Sequence, residues 1–173
     1  AMAKDLRKLA ILAIPLGIRI AYEGVPATWE AAWRADVPNL GICIGSSHLL
    51  AHMAPPDELE FVDMDRVFLV RLSDVAGDDA QRRFRVFPGE GVDGPAVAGL
   101  VQSLYALGYR GDYSFDVHND DYQQLAAQTV ARRAYLSALW LGETVLRRSV
   151  PLPNQLRLRR PARAREAIPA IEP

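Results

Sequence analysis

His48 comes three residues after the run Leu40-Gly41-Ile42-Cys43-Ile44-Gly45, past two serines, and a histidine so placed can ligate a metal, move a proton or bond a substrate. Glu23, Arg71 and Asp116 each lie at or near the end of a short run in which bulky side chains alternate with small or polar ones. Two carboxylates and a histidine suit proton transfer, whereas a guanidinium, charged at every working pH, suits recognition of an anion. Arg83 and Arg85, ahead of the turn Phe87-Pro88-Gly89-Glu90-Gly91, could bind a substrate carboxylate or phosphate; the plainer reading is a pair of solvated loop arginines. Glu90 serves equally well as a turn-stabilising residue. Asp74 reads as a strand-end cap or an arginine's partner, and His52 and His118 as surface or structural histidines. The glycine-rich turn lacks the spacing of a phosphate-binding loop.

The elements that must position these residues follow from periodicity. Leu6, Leu9, Ala10 and Ala13 fall on one stripe of a helix over residues 5–14, stopped by Pro15 and Gly17. Residues 18–23 alternate as a strand. Thr28 reads as the N-cap of a short helix carrying Trp29, Ala32 and Trp33, closed by Pro38. Residues 40–45 are the clearest strand, with Leu40, Ile42 and Ile44 on a bulky face and Gly41, Cys43 and Gly45 on a small one. A short helix is expected from Pro55, using Leu59, Phe61 and Val62, then a strand at 67–72 whose outward set is Phe68, Val70 and Leu72. Pro95 opens a helix with the stripe Val97, Leu100, Val101, Leu104 and Leu107, ended by Gly108. Residues 113–117 form the fourth strand, and one long helical pattern runs from Asp120 to about Leu146. Trp29, Trp33 and Trp140 read as core anchors.

Alternating helices and strands call for a parallel sheet with right-handed crossovers. Parallel strands buried on both faces are apolar throughout, but these four keep one bulky and one small or polar face, which suits a barrel wall with helices outside and a working interior. On that interior, Glu23, Gly45, Arg71 and Asp116 stand near the carboxyl ends of four successive strands. A closed barrel of this kind takes eight strands. The expectation is therefore self-association, or a missing N-terminal half-barrel.

Composition narrows the classes further. In 173 residues, half are apolar, enough for a real core, and the net charge of -1 gives no general attraction to nucleic acid or membrane. The segment 157–165 is rich in arginine, but no aromatic residues interleave it, which disfavours nucleic-acid binding. No apolar run reaches the roughly 20 residues of a membrane span. Cys43, the one cysteine, cannot form an internal disulfide and fits a reducing cytoplasm.

The segments IRIAYEG (18–24), NLGICIGSSHLL (39–50), VFLVRLSD (67–74), RVFPGEG (85–91) and GYRGDYSFDVHNDDYQQ (108–124) resemble, in this order, the C-terminal half of the xylose isomerase-like TIM-barrel superfamily. The resemblance is nearest to the sugar phosphate isomerase/epimerase and 3-dehydroshikimate dehydratase branch. It implies an α/β fold, a parallel (β/α) half of a TIM barrel with four strands and outer helices over residues 1–150, and a Pro/Arg-rich tail over 151–173. It also implies a divalent metal (Mn, Mg, Co or Zn) held by four strand-end ligands. Glu23 matches the first ligand position and Asp116 replaces a usual glutamate at the last. Gly45 stands where an aspartate is expected and Arg71 where a histidine or glutamine is expected, so two metal positions are substituted. His48 matches a family histidine that contacts substrate or takes part in catalysis.

A guanidinium about 4 Å from a divalent ion repels it by roughly 8 kcal/mol at an effective dielectric near 20. Arg71 is therefore expected to take the cation's place and pair with Glu23 and Asp116. The resemblance implies an isomerase, epimerase or dehydratase acting by proton abstraction next to a carbonyl, with Glu23, His48 and Asp116 as catalytic residues and Arg71, Arg83, Arg85 and Glu90 as substrate-binding ones. Its substrate would be a small sugar, polyol or cyclic keto acid. The rival expectation is a catalytically inactive truncated barrel serving as a binding or assembly module.

Overall fold

The computed structural model describes residues 2–51, 59–77 and 84–148. The elements run α1 (Met2–Ala13), β1 (Ile20–Glu23), α2 (Pro26–Ala35), β2 (Leu40–Gly45), α3 (Ser46–Ala51), β3 (Val67–Leu72), β4 (Asp74–Val75), β5 (Arg85–Val86), α4 (Gly94–Ala106), β6 (Asp112–Phe115), α5 (Asp120–Gln123) and α6 (Ala127–Leu139). A turn of 3-10 helix follows α1, another precedes β3, and α6 passes into a π-helical stretch at Trp140–Val145. Four strands form one sheet in the order β1-β2-β3-β6. All three pairings are parallel, and β4 and β5 make a small antiparallel ribbon beside them.

The alternation of β2 decides how the layers stack. Leu40, Ile42 and Ile44 are fully buried against a helical layer that includes Trp29, Ala32, Val97, Val101 and Leu104. Each such side chain is worth about 1.5–3 kcal/mol of burial, so the bulky face holds the helices on and leaves the small face toward the interior. Gly41 on that small face is required by close approach: a Cβ there would lie 2.3 Å from the Arg66 carbonyl oxygen. The expected stop of α1 holds, because Gly17 adopts a left-handed φ of 66° and its N–H donates to the Ile14 carbonyl.

Five expectations are corrected. The first strand begins at Ile20, because Asn39 Nδ2 donates to the Ile18 carbonyl at 3.0 Å and to the Ala10 carbonyl at 2.8 Å, tying that entry to α1. Thr28 is not the N-cap of α2; Val25 occupies that position, Pro26 opens the helix, and the Thr28 hydroxyl donates to the Val25 carbonyl at 2.9 Å. Phe68 does not join Val70 and Leu72 on the outward face. The β2–β3 register slips at Ile42/Cys43, and the extra residue sets Phe68 against Gly41 on the interior side. The fourth strand spans Asp112–Phe115, although Asp116 N–H still donates to the Leu72 carbonyl. Finally, the long helical pattern from Asp120 is broken after Gln123, and only α6 with its π-helical extension is continuous. Of the helix expected near Pro55, residues up to 58 lie outside the described residues; Leu59 is buried and Phe61 is exposed. The arginine-rich tail lies outside them as well.

Candidate active site at the strand mouth

The parallel register brings the strand ends together. Glu23 closes β1 opposite Cys43, Gly45 closes β2 opposite Arg71, and Arg71 in turn faces Ser114 of β6. Arg71 therefore lies between Glu23 on one side and Asp116, just past β6, on the other. One of its terminal nitrogens donates to Glu23 Oε2 and the other to Asp116 Oδ1, each at 2.5 Å. Asp116 is buried, and its second oxygen accepts from Arg85. His118 Nε2 lies 3.0 Å from Asp116 Oδ1, with the imidazole otherwise exposed. Burial alone pulls the Arg71 guanidinium down, but the Glu23 hydrogen bond and the charges of Asp116 and Glu23 outweigh it and hold the group above its ordinary value.

The neighbouring side chains reinforce this arrangement. A Cβ on Gly45 would lie 2.7 Å from Glu23 Oε1 and 3.9 Å from His48 Cγ, so the absence of a side chain at 45 is what lets Glu23 lean over β2. His48 borders this spot from the first turn of α3. Glu23 Oε1 is buried and has no hydrogen-bond partner among the described residues. Cys43, directly opposite Glu23, has its thiol pushed up to about 11, by burial first and then by the Glu23 charge. Ser46 locks the mouth: its hydroxyl donates to the Ser73 carbonyl at 3.0 Å and accepts from Ser73 N–H at 2.9 Å, bridging the ends of β2 and β3.

Beside the ion-pair cluster opens a cavity of about 750 Å³, whose lining includes Phe87, Phe115, Val117, His118, Tyr122 and Gln123. Its aromatic wall is ordered, with Phe87 edge-on to Phe115 at 5.4 Å and stacked on Tyr122 at 5.3 Å between ring centroids. Glu90 stands in the adjoining turn and accepts from Tyr122 Oη at 2.6 Å and from Arg133 Nε at 2.8 Å. The Tyr122 phenol is pushed up to about 12, by burial first and then by Glu90. Arg83 and His52 lie outside the described residues.

Two residues take on more weight than sequence reasoning gave them. His118 touches Asp116, and the signal available was its place two residues beyond that carboxylate. Asp74 is fully buried and, among the described residues, pairs with no arginine; Oδ1 accepts from the N–H of Val75 and Asp93, and Oδ2 from the N–H of Gly89 and Gly91, at 2.7–3.1 Å. One carboxylate thereby anchors the whole turn over 87–93.

The ligand set for a divalent ion is not complete. Glycine supplies no donor at 45, guanidinium has no lone pair to give, and Arg71 occupies the space between the two remaining carboxylates. Among the described residues, no group of three or more His, Cys, Asp and Glu side chains could hold a metal ion. The residues present do not fit the metal that the fold implies.

Similarity to known proteins agrees with the geometry as far as the fold. No protein-family model matches the chain. Solved xylose isomerase-like proteins match it in shape, and the chain has the fold of a partial TIM barrel. The IolI protein with a bound zinc atom superposes with a TM-score of 0.73 at 20% identity, covering 83% of this chain and 56% of that one. A xylose isomerase-like TIM barrel/4-hydroxyphenylpyruvate dioxygenase fusion protein gives 0.68 at 29% identity, covering 92% of this chain and 26% of that one. In sequence, the chain is 36% identical over 156 residues to the 3-dehydroshikimate dehydratase of Pseudomonas aeruginosa, which covers 82% of this chain. It spans only about a quarter (24%) of that relative's length.

Proposed function

We propose that this chain is a dehydratase-related partial barrel that binds a small cyclic hydroxy keto acid of the 3-dehydroshikimate type without a divalent cation and does not turn it over. The observation that carries this reading is the Arg71 guanidinium seated between Glu23 and Asp116. Abstraction of a proton next to a carbonyl needs a free base and an electrophile for the oxygen that gains charge. Here both oxygens of Asp116 are engaged by Arg71, Arg85 and His118, and both terminal nitrogens of Arg71 are bound to carboxylates. What remains for a ligand is Glu23 Oε1 as an acceptor for a hydroxyl, His118 at the cavity rim as a polar contact, and the Phe87, Phe115 and Tyr122 wall for the face of a ring.

A second reading rests on Glu23 Oε1. A buried carboxylate oxygen without a partner can take a proton from carbon, with Asp116 and His48 assisting, in the isomerase, epimerase or dehydratase manner implied by the sequence resemblance. One set of measurements separates the two. Calorimetric titration with 3-dehydroshikimate, and assays of its consumption and of ketose isomerisation with and without Mn, Mg, Co and Zn ions, are expected to give binding, no turnover and no stoichiometric metal. The Gly45→Asp/Arg71→Gln double variant is expected to gain metal binding, since the clash at position 45 is with the movable end of Glu23. Turnover by the natural chain overturns the first reading; absence of both binding and turnover overturns both.

A further inference from the structure

The turn over 87–93 is held from two sides. Asp74 grips its amides on one. On the other, Ser137 Oγ of α6 donates to the Pro88 carbonyl at 2.7 Å, and a Cβ on Gly89 would lie 3.0 Å from the Trp140 ring. Glu90 stands on this fixed base with its side chain mostly covered. Both its oxygens are taken, Oε2 by Tyr122 Oη and Oε1 by Arg133 Nε, and the Arg133 guanidinium lies over the Tyr122 ring, 5.3 Å from its centroid. A carboxylate engaged at both oxygens is poorly placed to meet a ligand and well placed to fix a phenol.

Tyr122 in turn carries α5. It is the only buried residue of that four-residue helix, and a single helical turn has no stability of its own. The Tyr122 ring stacks on Phe87 in a small apolar cluster with Val86, distinct from the main core, and the Phe87 N–H donates to Tyr122 Oη at 3.4 Å. Asn119, Asp120, Tyr122 and Gln123 all line the cavity beside the ion pairs. The place of that wall therefore depends on one phenol, and the place of the phenol on Glu90.

We propose that Glu90 and Arg133 are positioning residues of the cavity: without touching the bound ring, they hold Tyr122, and with it α5, at the spacing from Phe87 and Phe115 that a flattened ring fills. Their role rests on the cavity being the ring-binding site, as proposed above. Glu90, expected from the sequence to contact substrate, then belongs to the frame around it. Such a link has its own signature. Charge at position 90 matters little as long as an acceptor for Tyr122 remains, and removing either end of the Glu90–Tyr122 bond has the same effect as removing both.

Calorimetric titration of the full chain with 3-dehydroshikimate and with benzoate, a flat ring acid, tests this beside hydrogen exchange without ligand. The variants are Glu90→Ala, Glu90→Gln, Arg133→Met, Tyr122→Phe and the Glu90→Ala/Tyr122→Phe pair. Glu90→Ala and Tyr122→Phe are each expected to weaken binding about tenfold, with the pair within about twofold of the weaker single variant. Both should also speed exchange of the Tyr122, Gln124 and Leu125 amides, which close the α5 turn, while α4 exchanges as in the natural chain. Glu90→Gln should stay within about threefold of the natural affinity, and Arg133→Met should fall between the two. Natural affinity in Glu90→Ala overturns the positioning role and leaves the functional reading standing. Losses that multiply in the pair overturn it too, because Glu90 then meets the ligand itself, as does faster exchange throughout, α4 included, which marks a merely structural loss. Binding of benzoate but not of 3-dehydroshikimate by the natural chain overturns the keto-acid reading alone, with the variants judged on benzoate; binding of neither overturns both.

Discussion

Asp74 and Asp116 are both buried carboxylates just past the ends of the neighbouring strands β3 and β6, and they are satisfied in opposite ways. Four backbone N–H groups hold Asp74; side-chain cations and an imidazole hold Asp116. Amide dipoles are fixed by the turn they belong to, so Asp74 fixes the chain path around it and offers nothing to a ligand. Guanidinium and imidazole groups sit on flexible stems, so the contacts of Asp116 can be exchanged. A carboxylate built into backbone is architecture, and one built into side chains is where a small molecule can compete.

The sharpest way to break this contrast is Asp74→Ala. It strips four amides of their acceptor at a buried position, and a loss of about 3–5 kcal/mol is expected in urea unfolding, with the turn over 87–93 losing protection in hydrogen exchange. Arg71→Met is expected to cost less, about 1–3 kcal/mol at neutral pH, because Arg71 is partly exposed and solvent screens it. Urea unfolding of the variant beside the natural chain at neutral pH checks the difference from Asp74→Ala.

Two glycines sharpen the same contrast on a smaller scale. A Cβ at Gly91 would meet the Val75 carbonyl oxygen at 2.2 Å and Asp74 Oδ1 at 2.6 Å, both tied into the turn, and Gly91→Ala is expected to lower stability by about 2 kcal/mol. At Gly45 the obstacle is the carboxylate end of Glu23, which can swing, so Gly45→Ala is expected to cost less than about 1 kcal/mol. Equal losses in thermal melts would contradict the distinction. The last effect, absent at neutral pH, concerns Cys43. Its folded thiol, held up at about 11 against an ordinary 9.0, keeps its proton where the unfolded thiol has lost it. The stability it contributes is complete below about pH 9 and disappears as the pH rises toward 11, so the melting temperature should fall across that window and fall less in Cys43→Ala.

Much of this was legible in the sequence wherever a side chain alternates cleanly. The β2 pattern gave its two faces, and the strand ends placed Glu23, Gly45, Arg71 and Asp116 at one mouth; the pairing expected of Arg71 is present as two hydrogen bonds. What was not legible depends on partners distant in the chain. The slip between β2 and β3 leaves no mark on the Val67-Phe68-Leu69 run, so Phe68 read as outward. The four amides that bind Asp74 come from Val75 and from a turn whose first contributing amide, that of Gly89, lies 15 residues on, and nothing in residue type announces them. The 120–146 pattern kept a helical period through a break at 124–126 that the capping of α5 by Asn119 and the start of α6 impose.

The displaced Phe68 has one more effect. Its ring lies over Gly41 near the amino end of the sheet, and the Arg19 guanidinium stacks on it at 4.7 Å. Together they cover the small face of the sheet at its amino end, so the two ends of that face differ in kind: an aromatic ring with its stacked cation at one, and the ion pairs of Glu23, Arg71 and Asp116 at the other.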